Sequence, residues 1–449
     1  MGNISCGFNS RLQHINIGEI LNIYILLLTL ISYAIPSQKI LAEIQFLYDS
    51  DDLSSSKLLY EENEIETSDF YYLGYNIYLK LDNLNKANEC LQKSIDLDED
   101  DNQEYSDAAD FLSELINDLK NSNKTLTSGF VTESIDELNK LSIKYKNNAI
   151  VYYRLGYAYK TNDDYDNAIV NFRIAADLNP FKQEYKDEIS TIANIEILKG
   201  KEFYDRKEYQ DALVHFNKAL EYDPKNASAM FRLGNIYYAI RDYVKAAEFL
   251  EKGTEIQSNN YKVFYMLGRC YSALSESEMA IISYDKSLAL KPGYTKALFE
   301  KAKIYKSLND LVTSKSILNT IISNNNDSKS YELLIDIELS LKNLTEALNI
   351  GEQGAVFNPD SYSLLARLSG LYNESQNYDK AKQTAKKSLK IKKNYAPAAF
   401  ELGIAEISLC NKLAAKDAFK IPKRDRNYRK SATTYLKQEN FDSYTSHCN

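Results

Sequence analysis

Three glycines set 34 residues apart, Gly200, Gly234 and Gly268, restrict what this chain can fold into more than any other feature. Ala302 continues the series, and Gly403 falls one residue short of three further periods. Twelve residues after the first four of these positions stands another small residue: Ala212, Ala246, Ala280 and Ser314. Twelve further on comes Pro224, Ser258, Pro292 or Asn326. The stretch from Ala149 keeps the same spacing with Gly156, Ala168, Phe172, Ala175 and Pro180. A fixed period of this length means stacked copies of one supersecondary unit, each leaving an apolar face that only the next copy covers.

Within a period, apolar residues recur at three- and four-residue steps, the pattern of amphipathic helices. Met230, Leu233 and Tyr237 line one helix and Ala247 and Leu250 the next, with Arg241-Asp242-Tyr243 breaking the chain between them. Asn162-Asp163-Asp164 does the same in the unit from Ala149. Small residues at the crossing let the two helices approach closely, and the prolines end the second helix. Only seven prolines and fifteen glycines in 449 residues, with 44% apolar residues, agree with long helices around an extensive core. The expectation is an all-α array of helical hairpins.

The set Tyr152, Leu155, Gly156, Tyr159, Ala168, Phe172, Ala175 and Pro180 resembles the tetratricopeptide repeat. Gly200, Phe203, Ala212, Phe216, Ala219 and Pro224 repeat the resemblance, as do Phe264, Leu267, Gly268, Tyr271, Ala280, Tyr284 and Pro292. Weaker units follow around 298–326, 331–359 and 365–393, and Gly403, Ala415 and Phe419 suggest an incomplete last one. Upstream, Leu73, Gly74, Ile77 and Ala87 mark an early unit, and 103–145 reads as a degenerate hairpin. The organisation expected is a signal peptide or membrane anchor over 1–42, divergent hairpins over 43–148, the array over 149–422, and a basic capping helix and tail over 423–449.

The resemblance implies a right-handed α-solenoid that acts as a non-catalytic scaffold, holding a protein or peptide partner in a groove lined by the first helices. The groove residues it implies are Tyr153, Tyr157, Lys160, Lys201, Tyr204, Phe231, Asn235 and Tyr238, then Lys262, Tyr265, Arg269, Lys296, Phe299, Lys303 and Lys306. No carboxylate stands in that register before Glu332 and Asp336, so the partner expected is an acidic, extended segment. One subgroup of the family clamps the C-terminal carboxylate of heat-shock chaperones. Of its five positions only Asn235 and Lys296 match, while Phe231, Met266 and Glu300 fill the others, which speaks against that function. An accessory subunit that targets a membrane-associated enzyme or a secretion or assembly complex is the alternative.

The formal charge of −9 speaks against nucleic acid as the partner. Phosphate-binding Gly-x-x-x-x-Gly-Lys-Ser/Thr, His-Glu-x-x-His and Gly-x-Ser-x-Gly motifs do not occur. Three histidines, His14, His215 and His447, lie too far apart in sequence for a His-rich metal site. Asp96-x-Asp98-x-Asp100 has the alternation of a calcium loop, but Asp101 stands where such a loop needs glycine. No catalytic residue, cofactor or metal is therefore expected. Five scattered cysteines show no disulfide framework, and Cys90, Cys270 and Cys410 read as buried thiols within helices.

The run Ile20–Ile35, preceded by Arg11 and His14, has the character of a signal peptide cleaved after Ala34 or Ala42, or of an uncleaved anchor. Export of the repeats from the cytoplasm follows from either, a cytoplasmic location being the alternative. The stretch 420–437, with Lys423, Arg424, Arg426, Arg429 and Lys430, is a second candidate surface, for phosphates or anionic lipid.

Overall fold

The computed structural model describes residues 37–444 and 446–448. The apolar run Ile20–Ile35 lies outside them, while Ala42 falls inside the first described helix, Ser37–Asp49. Among the described residues every regular element is a helix, as the periodicity predicts, and none is long and apolar enough to cross a membrane. The chain divides into two compact units, 1–195 and 196–449, with the boundary inside the helix Gln183–Asp205.

The hairpin turns follow one local recipe. The residue in the left-handed region is polar or charged, as at Asp163, Arg241, Asn309, Lys342 and Gln376. The next residue, Asp164, Asp242, Asp310, Asn343 or Asn377, caps the second helix by accepting the backbone N–H three positions on. The polar breakers of the sequence are therefore turn and cap together.

The glycine series marks close approach. A Cβ on Gly156 would stand 2.8 Å from the ring of Phe172, and one on Gly268 would stand 2.6 Å from Tyr284. Where serine takes the small position its hydroxyl bonds across the crossing: Ser314 Oγ donates to the Ala302 carbonyl at 2.8 Å, and Ser369 Oγ to that of Ala381 at 2.8 Å.

In the first unit the degenerate hairpin consists of two helices, Gln103–Thr127 and Val131–Lys144, the former 25 residues long. The rule that a hairpin touches only its neighbours fails here. Asp82, in the turn after Ser68–Lys80, accepts hydrogen bonds from Asn179 Nδ2 at 2.5 Å and the Tyr185 hydroxyl at 2.7 Å, about a hundred residues away. Burial pushes the Asp82 carboxyl above its ordinary value against these donors.

The second unit continues through Tyr209–Tyr222, Ala227–Ala239, Tyr243–Ile256, Tyr261–Ala273, Ser277–Leu290, Thr295–Ser307, Leu311–Asn325, Ser328–Ser340, Leu344–Phe357, Tyr362–Glu374, Tyr378–Ile391 and Ala396–Ser408. Its end is covered by Lys412–Ala418, Arg429–Leu436 and Gln438–Tyr444, which bury Phe419 and Phe441. One cysteine expectation is corrected there. Cys410 is not a buried helical thiol; it is exposed in a left-handed turn and forms a disulfide with Cys448, their Cα atoms 5.4 Å apart. The tail folds back to reach it, which spacing along the chain does not reveal. Cys90 and Cys270 are buried and unpaired.

Candidate functional site

Within each compact unit, first helices of successive hairpins lie side by side, so residues at their equivalent positions share one face. In the first unit Tyr153 donates its hydroxyl to Glu184 at 2.7 Å, and Lys160 pairs with Glu188 at 2.5 Å while reaching over the Tyr157 ring. Glu184 and Glu188 lie on Gln183–Asp205, a helix whose start carries no repeat signature. These carboxylates neutralise a surface that sequence register alone renders basic.

In the second unit the implied residues meet different surroundings. Lys201 pairs with Asp205 at 2.7 Å, Lys303 with Glu300 at 2.7 Å, and Lys306 approaches Asp336 at 3.7 Å. Burial and then the charge of Arg367 lower the Lys306 pKa. Phe231 is buried against Gly253, and the half-buried Phe299 packs its ring on the core. Tyr204 stands beside Tyr209, and Asn235 is half-buried.

The remaining residues come together. The Arg269 guanidinium lies 4.6 Å from the Tyr238 ring centre and 5.9 Å from that of Tyr265, so one cation bridges two hairpins. Lys262 and Lys296 are exposed nearby in register, and among the described residues neither forms an ion pair, nor does Arg269. Burial raises the Tyr265 hydroxyl pKa, keeping it a donor. A planar cation held between aromatic faces, with two exposed lysines without ion pairs in the first turns of Tyr261–Ala273 and Thr295–Ser307, suits a carboxylate.

A feature beyond the sequence reading follows on the same face. Ala366 and Gly370 occupy the register held by Tyr265 and Arg269 three periods earlier. The missing bulk opens a cavity of about 270 Å³ lined by Glu332, Asp336, Arg367, Glu374, Glu401, Tyr395 and Tyr428. Glu332 and Asp336 were legible as the first carboxylates in the groove register; the other five were not. The signal was available, since two small residues stand where large ones precede them.

Asp98 is an ordinary loop cap, its carboxylate accepting the backbone N–H of Asp100 and Asn102. No group of metal ligands occurs among the described residues. Of the C-terminal basic residues, Lys423 and Arg424 sit in a short 3-10 turn and Arg429 starts the capping helix.

The profile of the tetratricopeptide repeat matches residues 70–101, 149–182, 227–260, 261–294 and 362–395, and a second profile, described as TPR repeat, matches 200–240. The photosystem I assembly protein Ycf3 of Prochlorococcus marinus is 30% identical over 107 residues, 24% of this chain and 57% of that protein. The chain thus spans little more than half the length of this relative. A tetratricopeptide repeat protein from Parabacteroides merdae ATCC 43184 aligns with 57% of this chain and 97% of its own at 17% identity, with a TM-score of 0.41. The first TPR of Spaghetti (RPAP3), bound to the HSP90 peptide SRMEEVD, aligns with 27% of this chain and 95% of its own at 22% identity and a TM-score of 0.26. With the profile matches falling on hairpins whose glycines, aromatic residues and turns repeat in register, the chain belongs to the tetratricopeptide repeat family.

Proposed function

We propose that the chain is a non-catalytic scaffold that holds an extended, acidic protein segment along the first-helix face of its second unit. The observation that carries this is Arg269 between Tyr238 and Tyr265, with Lys262 and Lys296 free of carboxylate partners. The cationic part is narrower than the sequence register implies, because Lys160, Lys201, Lys303 and Lys306 already face acidic side chains. The repeats work outside the reducing cytoplasm in this reading, which the Cys410–Cys448 disulfide and the apolar run Ile20–Ile35 support. A second reading, an accessory factor in assembly of a larger complex, is favoured by the likeness to a relative named for assembly.

The test is a crosslinked pull-down from native material, comparing wild type with Lys262→Glu/Arg269→Glu/Lys296→Glu of unchanged helicity. The acidic segment of a captured partner is then made as a synthetic peptide and titrated. Affinity should fall about tenfold or more in the variant and weaken with salt in wild type. An unchanged partner list and an unchanged peptide affinity would reject the basic groove.

A further inference from the structure

The cavity at Ala366 and Gly370 holds a carboxylate in an unusual state. The buried glutamates of the second unit each have a cation in contact: Glu196 has Lys199, Glu338 has Lys315, and Glu406 has Lys382. This is the rule for charges taken out of water. Glu401 breaks it. Its carboxyl lies over Gly370, where an added Cβ would come within 3.3 Å of it. Its one hydrogen-bond donor is the Asn373 amide, at 2.8 Å, and among the described residues no cation pairs with it. Glu374, exposed at the rim, has no pair either. Arg367, the cation lining the cavity, is committed to Asp336, and Glu332 is satisfied by the Ser363 hydroxyl at 2.5 Å.

Burial raises the Glu401 carboxyl above its ordinary value, and the neighbouring Glu374 adds to the rise. An incoming cation would oppose that rise by favouring the charged carboxylate. The cavity, about 270 Å³, is below the ~300 Å³ at which small-molecule pockets begin. One long side chain matches it better than a cofactor. The tyrosine rings of Tyr395 and Tyr428 in the lining favour a planar, delocalised cation, and two carboxylates favour a forked donor.

We propose that this cavity seats a single arginine side chain of the extended segment bound along the same face, its guanidinium between Glu374 and Glu401. The inference rests on the scaffold reading and sharpens it: the partner carries an acidic stretch for Arg269 and, further along, one arginine. The groove is bipolar, which fixes the direction in which a segment lies.

The probes are N-acetyl-arginine methylamide and its isosteric uncharged counterpart, N-acetyl-citrulline methylamide, followed by saturation-transfer NMR on the full chain. Wild type should favour arginine at least fivefold, and Glu374→Gln/Glu401→Gln should abolish the preference. Gly370→Leu, checked for unchanged helicity, should abolish it by filling the cavity. Arg367→Gln, which frees Asp336, should strengthen arginine binding at least twofold. Equal signals from the two probes, or an arginine preference that survives in the glutamine variant, would overturn the proposal. Lys262→Glu/Arg269→Glu/Lys296→Glu should leave arginine binding unchanged, so failure of the basic half and failure of this cavity are told apart.

Discussion

Four seams between hairpins in the second unit are closed in two opposite ways at one and the same helix position. In Tyr261–Ala273 and Tyr362–Glu374 the eleventh residue is a tyrosine, and its hydroxyl donates to a glutamate of the preceding second helix: Tyr271 to Glu251, and Tyr372 to Glu352 at 2.6 Å. In Ser328–Ser340 and Ala396–Ser408 the eleventh residue is a glutamate, and the preceding second helix supplies lysine: Lys315 to Glu338, and Lys382 to Glu406 at 3.0 Å. These four seams keep a polar bond while exchanging donor and acceptor.

The two versions differ in where the charge sits. In the tyrosine seam the buried partner is neutral, and the carboxylate of Glu352 stays near water, its side chain 46% exposed. In the glutamate seam the charge itself is buried, Glu338 being 1% exposed, with Asn343 donating a further bond at 3.1 Å. A seam of the second kind suffers far more from loss of its partner, because the charge left behind has no water to return to.

The largest effect should come from Lys315→Met, which strands Glu338. Local stability of the helices Leu311–Asn325 and Ser328–Ser340, read by hydrogen exchange with mass spectrometry, should fall by about 3 kcal/mol. Adding Glu338→Met should recover most of it, and a double variant no better than the single would break the comparison. Tyr372→Phe should cost about 1.5 kcal/mol in the exchange of Tyr362–Glu374, since it removes one hydrogen bond to a charged group and strands nothing. Its aromatic contact with Lys380 survives. Glu338→Gln should cost still less, about 1 kcal/mol, because the half-exposed Lys315 returns to solvent. A larger loss than for Lys315→Met would reverse the assignment of which partner bears the cost.

The smallest effect is in pH. The Tyr372 hydroxyl, and then Lys380, hold the Glu352 carboxyl below its ordinary value. A depressed folded pKa contributes stability above the unfolded value, about 4.3, and loses it as pH falls through the folded one. The difference between wild type and Tyr372→Phe, followed by exchange from pH 7 downward, should therefore shrink below that value. The change is small because Glu352 is well solvated. A difference that grows on acidification would show that the bond is not charge-assisted.

Much of the fold was legible because it rests on short-range spacing. Gly156 and Phe172, or Gly268 and Tyr284, lie sixteen residues apart within one hairpin, so their contact follows from the period. The turns were legible for the same reason, cap and breaker being adjacent residues. The site was legible only in its register. Tyr238, Tyr265 and Arg269 converge as the repeat implies, but the neutralisation of Lys160 by Glu188 and the approach of Asp336 to Lys306 join residues 28 and 30 positions apart. Whether such a pair forms depends on rotamers and on which face the following helix presents, and neither has a period.

The sequence by itself determined the helical hairpin, its turns, its stacking and the residues that share a face, because these are set by steric size and polarity at fixed spacing. Only the tertiary structure decided which lysines remain free, where Ala366 and Gly370 open a cavity, and that Cys410 meets Cys448. Those outcomes hang on pairings between different helices or with a folded-back tail. Their energies depend on distance and burial, which the order of residues along the chain does not contain.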